Sequence, residues 1–116
     1  MPAHPTLFED IDSMDADRYA RHLADDVSFR FGNADPVIGR DAVRDTWASF
    51  CDGIAGVSHE VIEQWDSGPA TIVEATVTYT RKDASTVSLP VVTIYRAQGE
   101  KIDDYRIFMD VAPLFA

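Results

Sequence analysis

The sequence has few of the cysteines that disulfides require and few of the basic side chains that bind polyanions. Cys51 is the only cysteine, so no disulfide can form within the chain, and a reducing compartment is expected; we predict the cytoplasm. Lys and Arg together number 10 against 20 Asp and Glu, which gives a net charge of −10. Nucleic acids and anionic membranes demand clustered basic side chains, so neither is an expected partner.

Long apolar runs are also missing. No stretch approaches the roughly 18 consecutive apolar residues that span a membrane. The first ten residues, MPAHPTLFED, lack the basic start and apolar run of a secretory signal. A length of 116 residues suits one domain, so residues 1–116 are predicted to form a single unit with its own core.

Metal-binding and phosphate-binding motifs are not apparent. His4, His22 and His59 lie far apart, and no Cys–His spacing typical of a metal site occurs. Gly53 and Gly56 precede a predicted strand, whereas a phosphate loop opens a helix. We therefore expect no metal and no cofactor.

The first half of the chain is predicted to be mainly helical. Thr6 can cap a short first helix, and Asp15 can cap a second one that ends at the solvated pair Asp25 and Asp26. Residues 27–31 alternate between apolar and polar, which predicts a short strand.

A loop and a third helix follow this strand. Residues 32–39 contain glycine, asparagine and proline and are typical of a loop. Asp41 opens the helix, whose apolar side chains recur at helical spacing: Val43, Trp47 and Phe50.

The second half is rich in β-branched residues and turn signals. It predicts four strands, at 57–65, 71–81, 86–97 and 102–110. Pro90 cannot donate a hydrogen bond to a neighbouring strand, so we expect it at a bulge or an unpaired edge position. Helices followed by hairpins indicate an α+β fold, in which a curved sheet wraps around three N-terminal helices and encloses a pocket.

Three segments resemble a known family. They are HLADDVSF at 22–29, IGRDAVRDTW at 38–47 and GEKIDDYRIFMD at 99–110. Together with the element order, they resemble the SnoaL-like branch of the nuclear transport factor 2-like superfamily over 7–114. The resemblance implies a cone with a mixed sheet and an apolar cavity. That scaffold hosts isomerases, cyclases, hydrolases, dehydratases and non-catalytic binders, so it implies no single function.

The resemblance also implies that the usual catalytic groups are replaced. If Asp110 is the family's aspartate near the end of the last strand, the catalytic acid three residues earlier becomes Ile107. The other catalytic positions of the epoxide hydrolases and ketosteroid isomerases fall on side chains that cannot transfer protons: Phe29, Phe31, Ala75, Val77 and Val92.

Three polar side chains remain as candidate catalytic residues. His59 is placed in the cavity by the resemblance and has an imidazole that can act as a base or an acid. Tyr79 and Tyr105 share the inward-facing positions of their strands and can donate hydrogen bonds to a ligand carbonyl. The alternatives are a histidine at the rim, bonded to Glu60, Glu63 or backbone, and tyrosines that pack in the core.

A set of apolar side chains is predicted to form the ligand-binding wall. Its members are Phe29, Phe31, Trp47, Phe50, Val77, Leu89, Val91, Ile107 and Met109. His22 is interpreted as a core or rim residue on the second helix. Asp110 and Arg106 share the outward face of the last strand, and we expect them to pair.

The outward face of the sheet is too apolar to be wholly solvated. Its predicted members are Glu74, Thr76, Thr78, Thr80, Ser88, Ile94, Arg106 and Phe108. This mixed surface predicts a homodimer that packs sheet on sheet about a twofold axis.

Three functions follow as hypotheses. The first is a protein that binds a small hydrophobic molecule in its cavity without the usual family catalysis. The second is an isomerase, cyclase or dehydratase that uses His59 with Tyr79 or Tyr105. The third is an association module whose cavity is filled by side chains.

Overall fold

The computed structural model describes residues 6–116; His4 and its neighbours in the first five positions lie outside the described residues. Three α-helices and a short 3₁₀-helix at the C-terminus are present. They are α1 Leu7–Asp12, α2 Ala16–Ala20, α3 Arg40–Asp52 and the 3₁₀-helix Ala112–Phe115. Among the described residues, no helix is long and apolar enough to span a membrane.

Six strands form one sheet. They are β1 Leu23–Phe31, β2 Val37–Ile38, β3 Gly56–Ser67, β4 Ala70–Thr80, β5 Thr86–Gln98 and β6 Lys101–Phe108. The spatial order is β2-β1-β6-β5-β4-β3, with β1 parallel to β6 and the other pairs antiparallel. This curved mixed sheet with its helices confirms the predicted α+β fold.

Alternation of side chains along the strands creates the inner face. On β4 the buried positions are every second residue, from Thr71 to Tyr79. Val77 pairs with His59 on one side and Leu89 on the other, so these three residues share a face. Two-residue turns at Gly68 and Gly99, with φ of 59° and 63°, close the hairpins before β4 and β6.

The helices cover the inner face and complete the core. On α3 the buried side chains are Val43, Trp47 and Cys51, which recur at helical spacing. Tyr19 of α2 lies edge-on to Trp47 and to Tyr105 of β6, with ring centroids 6.3 and 5.6 Å apart. The helices thus meet the sheet through aromatic contacts.

The second helix is shorter than predicted. It ends at Ala20, and β1 begins at Leu23, which is fully buried beside Ile102. The carbonyl of His22 accepts a hydrogen bond from Ile102 N at 2.8 Å. Pairing with β6 therefore begins where the helical spacing predicted that α2 would continue. Asp25 and Asp26 therefore lie exposed on β1 and do not form a helix exit.

Two further differences concern the strands. The loop predicted over 32–39 contains the short strand β2, which pairs with Phe29 and Ser28 of β1. Pro90 lies opposite Thr76 of β4, while β6 pairs with β5 only from Val92 onward. Pro90 is thus at an unpaired edge of β5, as its missing N–H predicts.

Candidate functional site

An apolar pocket of about 230 Å³, here called the outer pocket, opens between α3, β1 and the C-terminal segment. Its lining residues are Phe29, Phe31, Thr46, Trp47, Phe50, Val111 and Phe115. The Trp47 and Phe50 rings stack with centroids 5.4 Å apart, and Phe31 lies 5.9 Å from Phe50. The outer pocket is therefore a largely aromatic wall.

A second, much smaller cavity of about 30 Å³, here called the inner cavity, lies deeper between the sheet and the helices. Its lining residues are Ile11, Phe31, Trp47, His59, Tyr79, Val91, Thr93, Tyr105, Ile107 and Met109. A space of this size holds about one water molecule. Phe31 and Trp47 line both cavities, so they form the partition between the two.

His59 is held in place by Asp12, the last residue of α1. Its Nδ1 lies 2.6 Å from Asp12 Oδ1, and its backbone N–H donates to Asp12 Oδ2 at 2.8 Å. The Phe8 ring packs against the imidazole with centroids 5.0 Å apart. The partner of His59 is therefore Asp12, and not Glu60 or Glu63, which were predicted for a histidine at the rim.

The two tyrosines of the inner cavity are poor acids at neutral pH. Burial, reinforced by the charge of Asp12 and by Cys51, raises the pKa of Tyr79 to about 12. Burial and the neighbouring Tyr95 raise the pKa of Tyr105 well above its usual value, while a hydrogen bond with Thr93 opposes that rise. Both phenols therefore carry their protons and are hydrogen-bond donors.

The residues that the resemblance assigns to the family's catalytic positions line the inner cavity or lie in the core. Ile107 and Phe31 line the inner cavity, and they lie opposite each other on β6 and β1. Ala75 and Val77 are buried in the sheet and line neither cavity, and Leu89 is likewise core. Among the described residues that line the inner cavity, His59 is the one whose side chain can take up and release a proton near neutral pH.

Other candidate groups lie away from the cavities. His22 is bonded to Asp10, with Nε2 2.7 Å from Oδ2, and lines neither cavity. Burial and the neighbouring Asp52 raise the pKa of the Cys51 thiol to about 11, so it is not a nucleophile at neutral pH. Within residues 6–116, no three potential metal ligands cluster.

The predicted pair of Asp110 and Arg106 is wrong. Arg106 makes two hydrogen bonds to Asp104, its neighbour two residues away on the same face of β6, at 3.0 and 3.1 Å. Asp110 lies beyond the end of β6 and accepts from the backbone N–H of Ala112 at 3.0 Å. Asp110 thus bonds to the backbone of the first residue of the 3₁₀-helix.

Sequence reasoning missed several residues of the site. Asp12 reaches His59 across 47 residues of sequence, a contact that no local pattern shows. Thr93 contributes an inner-cavity hydroxyl; its inward position on β5 follows from strand alternation and could have been predicted. Val111 and Phe115 join the outer pocket because the chain turns back after β6.

Two buried donors of the aromatic layer are unmatched in the part of the chain that the structure describes. Trp47 Nε1 and Tyr19 Oη have no hydrogen-bond partner there. A buried donor without a partner costs about 1–3 kcal/mol. The aromatic layer between α2, α3 and the sheet therefore carries unused hydrogen-bonding capacity.

Solved structures show the same fold at low sequence identity. A protein of Catenulispora acidiphila with a ketosteroid isomerase-like fold, in complex with trimethylamine, has a TM-score of 0.84 and 16% identity over 91% of this chain and 83% of its own. An epoxide hydrolase of M. tuberculosis, similar to limonene-epoxide hydrolases, has a TM-score of 0.81 and 18% identity over 97% and 84%. SalBIII, an epoxide hydrolase/cyclase-like enzyme in pyran ring formation in the polyether salinomycin, has a TM-score of 0.81 and 19% identity over 95% and 89%.

Sequence comparison supplies the family. No curated protein matches the sequence. The SnoaL-like domain model matches residues 6–105, which is most of the chain and includes every α-helix described above and nearly all of the sheet. The chain belongs to the SnoaL-like domain family.

Proposed function

We propose that this protein binds a small, largely hydrophobic molecule in the outer pocket. The observation that carries the proposal is the aromatic wall of that 230 Å³ space, where Phe31, Trp47 and Phe50 present ring faces and edges. Ligand sites are typically lined by hydrophobic and aromatic side chains with a few polar groups. The open outer pocket favours ligand binding over a purely structural association module.

The size of the outer pocket limits the ligand. A cavity of about 150 Å³ accommodates a benzene ring, so 230 Å³ suits a compound of one or two fused rings. Phe115 is 75% exposed and Thr46 is exposed, so the pocket is reached from solvent between α3 and the C-terminal segment.

Thermal-shift screening of neutral one-ring and two-ring compounds tests this proposal. A ligand present at 100 times its Kd stabilises the folded state by about 2.7 kcal/mol. For a domain of this size that is a rise in Tm on the order of 10 °C. A panel in which no such compound raises Tm would contradict the proposal.

A matched pair of variants locates the binding site. Thr46→Phe fills the mouth of the outer pocket, and Ser49→Phe places the same side chain on an exposed position of α3 outside it. We expect Thr46→Phe to abolish the ligand-induced shift and Ser49→Phe to retain it. Equal shifts in both variants would place the ligand elsewhere.

A second candidate function is acid–base catalysis on the bound molecule, by an isomerase, cyclase or dehydratase. The observation that favours it is the inner cavity, where His59 shares one small space with Tyr79 and Tyr105. Once a ligand is found, His59→Gln should remove turnover but keep the thermal shift. Unchanged turnover in that variant would exclude His59 as the acid or base.

A further inference from the structure

β3 is an edge strand, and its two halves are covered differently. β4 pairs with one side of β3, and no other described strand pairs with the opposite side. Over the first half, α1 contacts β3, and Asp12 Oδ2 accepts the backbone N–H of His59 at 2.8 Å. Over residues 61–67, nothing within the described part of the chain bonds to this side of the backbone. This open side of residues 61–67 is here called the β3 edge.

The register identifies the backbone groups that the β3 edge presents. In an antiparallel pair, successive residues direct their N–H and C=O groups alternately toward and away from the partner strand. His59 N–H donates to α1 and so points away from β4, which means that Val61 also points away. The bulge after Val61 shifts this alternation by one residue, so Gln64 and Asp66 point away in turn. A further strand could pair with these groups.

Apolar side chains cluster along the β3 edge. Val61, Ile62 and Trp65 are all exposed and make up half of the large hydrophobic side chains exposed on the described residues. Val61 lies opposite the buried Ala75 and faces the inner side of the sheet, whereas Trp65 lies opposite Ile72 and faces outward. A dimer that packs on the outward face would leave Val61 uncovered. A strand added to the edge contacts side chains on both faces.

β3 also carries three carboxylates and no Lys or Arg; they belong to Glu60, Glu63 and Asp66. Glu63 lies directly opposite Glu74 of β4, and like charges in this arrangement destabilise a sheet. Neither of these two carboxylates has an ion-pair partner within residues 6–116. A cationic side chain on a neighbouring strand would relieve their repulsion.

We propose that the β3 edge binds an extended segment of another protein, in which Lys or Arg alternates with β-branched residues, as a further strand of the sheet. In complexes of this kind, main-chain hydrogen bonds give affinity and alternate side chains give specificity. Strand alternation places the basic side chains on the outward face beside Glu63 and the β-branched side chains on the inner side beside Val61. No residue of β3 lines the outer pocket, so the proposal is independent of ligand binding there.

A second copy of this chain fits the β3 edge less well than a basic segment. Pairing of two β3 strands would bring the carboxylates of both strands together, and each chain already has a net charge of −10. Charged side chains and bulges on an edge strand are features that prevent the pairing of identical edges. Carboxylates do not repel a strand that carries Lys or Arg.

Calorimetry with a panel of blocked nonapeptides, in which Lys or Arg alternates with Val, Thr or Ile, tests the proposal on the native chain. One control peptide has the same composition with its basic residues in a single block, and another has Glu in place of every basic residue. We expect an alternating peptide to bind at least about tenfold more tightly than either control. Equal binding of the alternating and block peptides, or no binding up to about 1 mM, would overturn the proposal.

Amide hydrogen exchange locates the bound peptide. Exchange should slow at Val61, Gln64 and Asp66, whose N–H groups point away from β4. Protection of Ile38 in place of these residues would put the peptide on β2, at the other edge of the sheet, and would overturn the assignment.

A proline variant removes one N–H of the β3 edge and leaves the pairing with β4 intact. Gln64→Pro does this because proline is tolerated in an edge strand where its missing N–H would face away from the sheet. We expect Gln64→Pro to weaken peptide binding about tenfold or more and Gln64→Val, which keeps the N–H, to bind as the native protein does. Native affinity in a folded Gln64→Pro variant would contradict the backbone pairing.

Two charge-reversal variants test the role of the carboxylates without altering the backbone. Glu63→Lys and Asp35→Lys change the net charge equally, and Asp35 is exposed in the loop between β1 and β2, at the other edge of the sheet. Glu63→Lys should weaken peptide binding about tenfold, and Asp35→Lys should leave it near the native value. An equal loss in both variants would show attraction to the net charge alone and would overturn the site.

Light scattering at micromolar concentration distinguishes the proposed segment from a second copy. Gln64→Pro should leave the mass of the protein alone unchanged. A native dimer that Gln64→Pro separates into single chains, while Phe108→Glu leaves it intact, would place a second copy on the β3 edge and overturn the proposal.

Discussion

Asp10 of α1 is bonded to His22, which lies in the turn between α2 and β1, with His22 Nε2 2.7 Å from Asp10 Oδ2. Arg18 donates to the other oxygen of the same carboxylate at 2.8 Å, and the Thr6 hydroxyl donates at 3.2 Å. Asp10 is buried, with only 7% of its surface exposed. One carboxylate therefore fastens α1 to α2 and to the first strand.

The ionisation of Asp10 should make the stability of the fold depend on pH. Burial raises its pKa, but hydrogen bonds from His22, Arg18 and Thr6 outweigh burial and hold the pKa below its usual value. A carboxyl with a lowered pKa in the folded state stabilises the fold above its unfolded pKa near 4, and this contribution is lost as the pH falls through the folded value. Asp10→Asn should cost about 2 kcal/mol at pH 7, and the cost should shrink below about pH 4.

Urea unfolding between pH 3 and 7 measures this difference. Glu9→Gln is the control, since Glu9 is the exposed neighbour of Asp10 on α1. A pH-independent difference between native protein and Asp10→Asn would show that the carboxylate acts through shape and not through charge.

Cys51 should resist alkylation. Its thiol pKa of about 11 leaves little thiolate at pH 8, and its side chain is buried on α3. We expect iodoacetamide to label the native protein about 100-fold more slowly than the urea-unfolded chain, whose thiol has its ordinary pKa. A double variant, Cys51→Ala with Ser49→Cys, carries one exposed thiol on the same helix and should label rapidly when folded. Equal labelling of native and unfolded Cys51 would contradict the assigned burial.

Arg81 should affect ligand binding in the outer pocket although it does not line that pocket. Its guanidinium donates to the carbonyls of Leu114 and Pro113 at 3.1 and 2.8 Å, which holds the 3₁₀-helix against the sheet. Phe115 of that helix lines the outer pocket. Arg81→Ala should therefore speed amide hydrogen exchange at Leu114 and weaken ligand binding about tenfold, the equivalent of about 1.4 kcal/mol.

Lys82→Ala is the matched control for Arg81→Ala, because Lys82 is the adjacent exposed cation. Slower or unchanged exchange at Leu114 in Arg81→Ala would show that the two carbonyl contacts do not hold the helix.

The outward face of the sheet supports a proposed homodimer. Phe108 and Trp65 are 52% and 44% exposed, and the Thr78 and Ser88 hydroxyls on the neighbouring strands β4 and β5 lie 2.8 Å apart. Light scattering at micromolar concentration should give about twice the chain mass of 12.9 kDa. Phe108→Glu should reduce the mass to that of one chain by burying a charge in the interface.

Ile38→Glu is the control for Phe108→Glu, since Ile38 is 61% exposed on β2 at the far edge of the sheet. A native protein that is monomeric under these conditions would rule out the dimer.

Strand and helix positions could be predicted because they depend on local patterns. Alternation placed Tyr79 and Tyr105 on the inner face, and helical spacing placed Val43 and Trp47 on the buried side of α3. The predicted ends of helices and strands were wrong where a tertiary contact competes with the local preference. The helix that spacing continues past Ala20 gives way to β1, because the carbonyl of His22 accepts a hydrogen bond from Ile102 and Leu23 pairs with Ile102 in the sheet.

The candidate site also has parts that local sequence predicts and parts that depend on tertiary contacts. The aromatic members of the outer wall, Phe29, Phe31, Trp47 and Phe50, could be predicted from the sequence by itself, because they follow from strand alternation and helical spacing. The replacement of the family's acid by Ile107 stays a prediction that depends on alignment with a known motif. Only the tertiary structure decided that Asp12 meets His59, that Arg106 pairs with Asp104 while Asp110 bonds to Ala112, and that Phe31 and Trp47 line both the outer pocket and the inner cavity. Contacts of that kind depend on where distant segments come to lie and on the volume left between packed side chains, and neither quantity is written in local sequence.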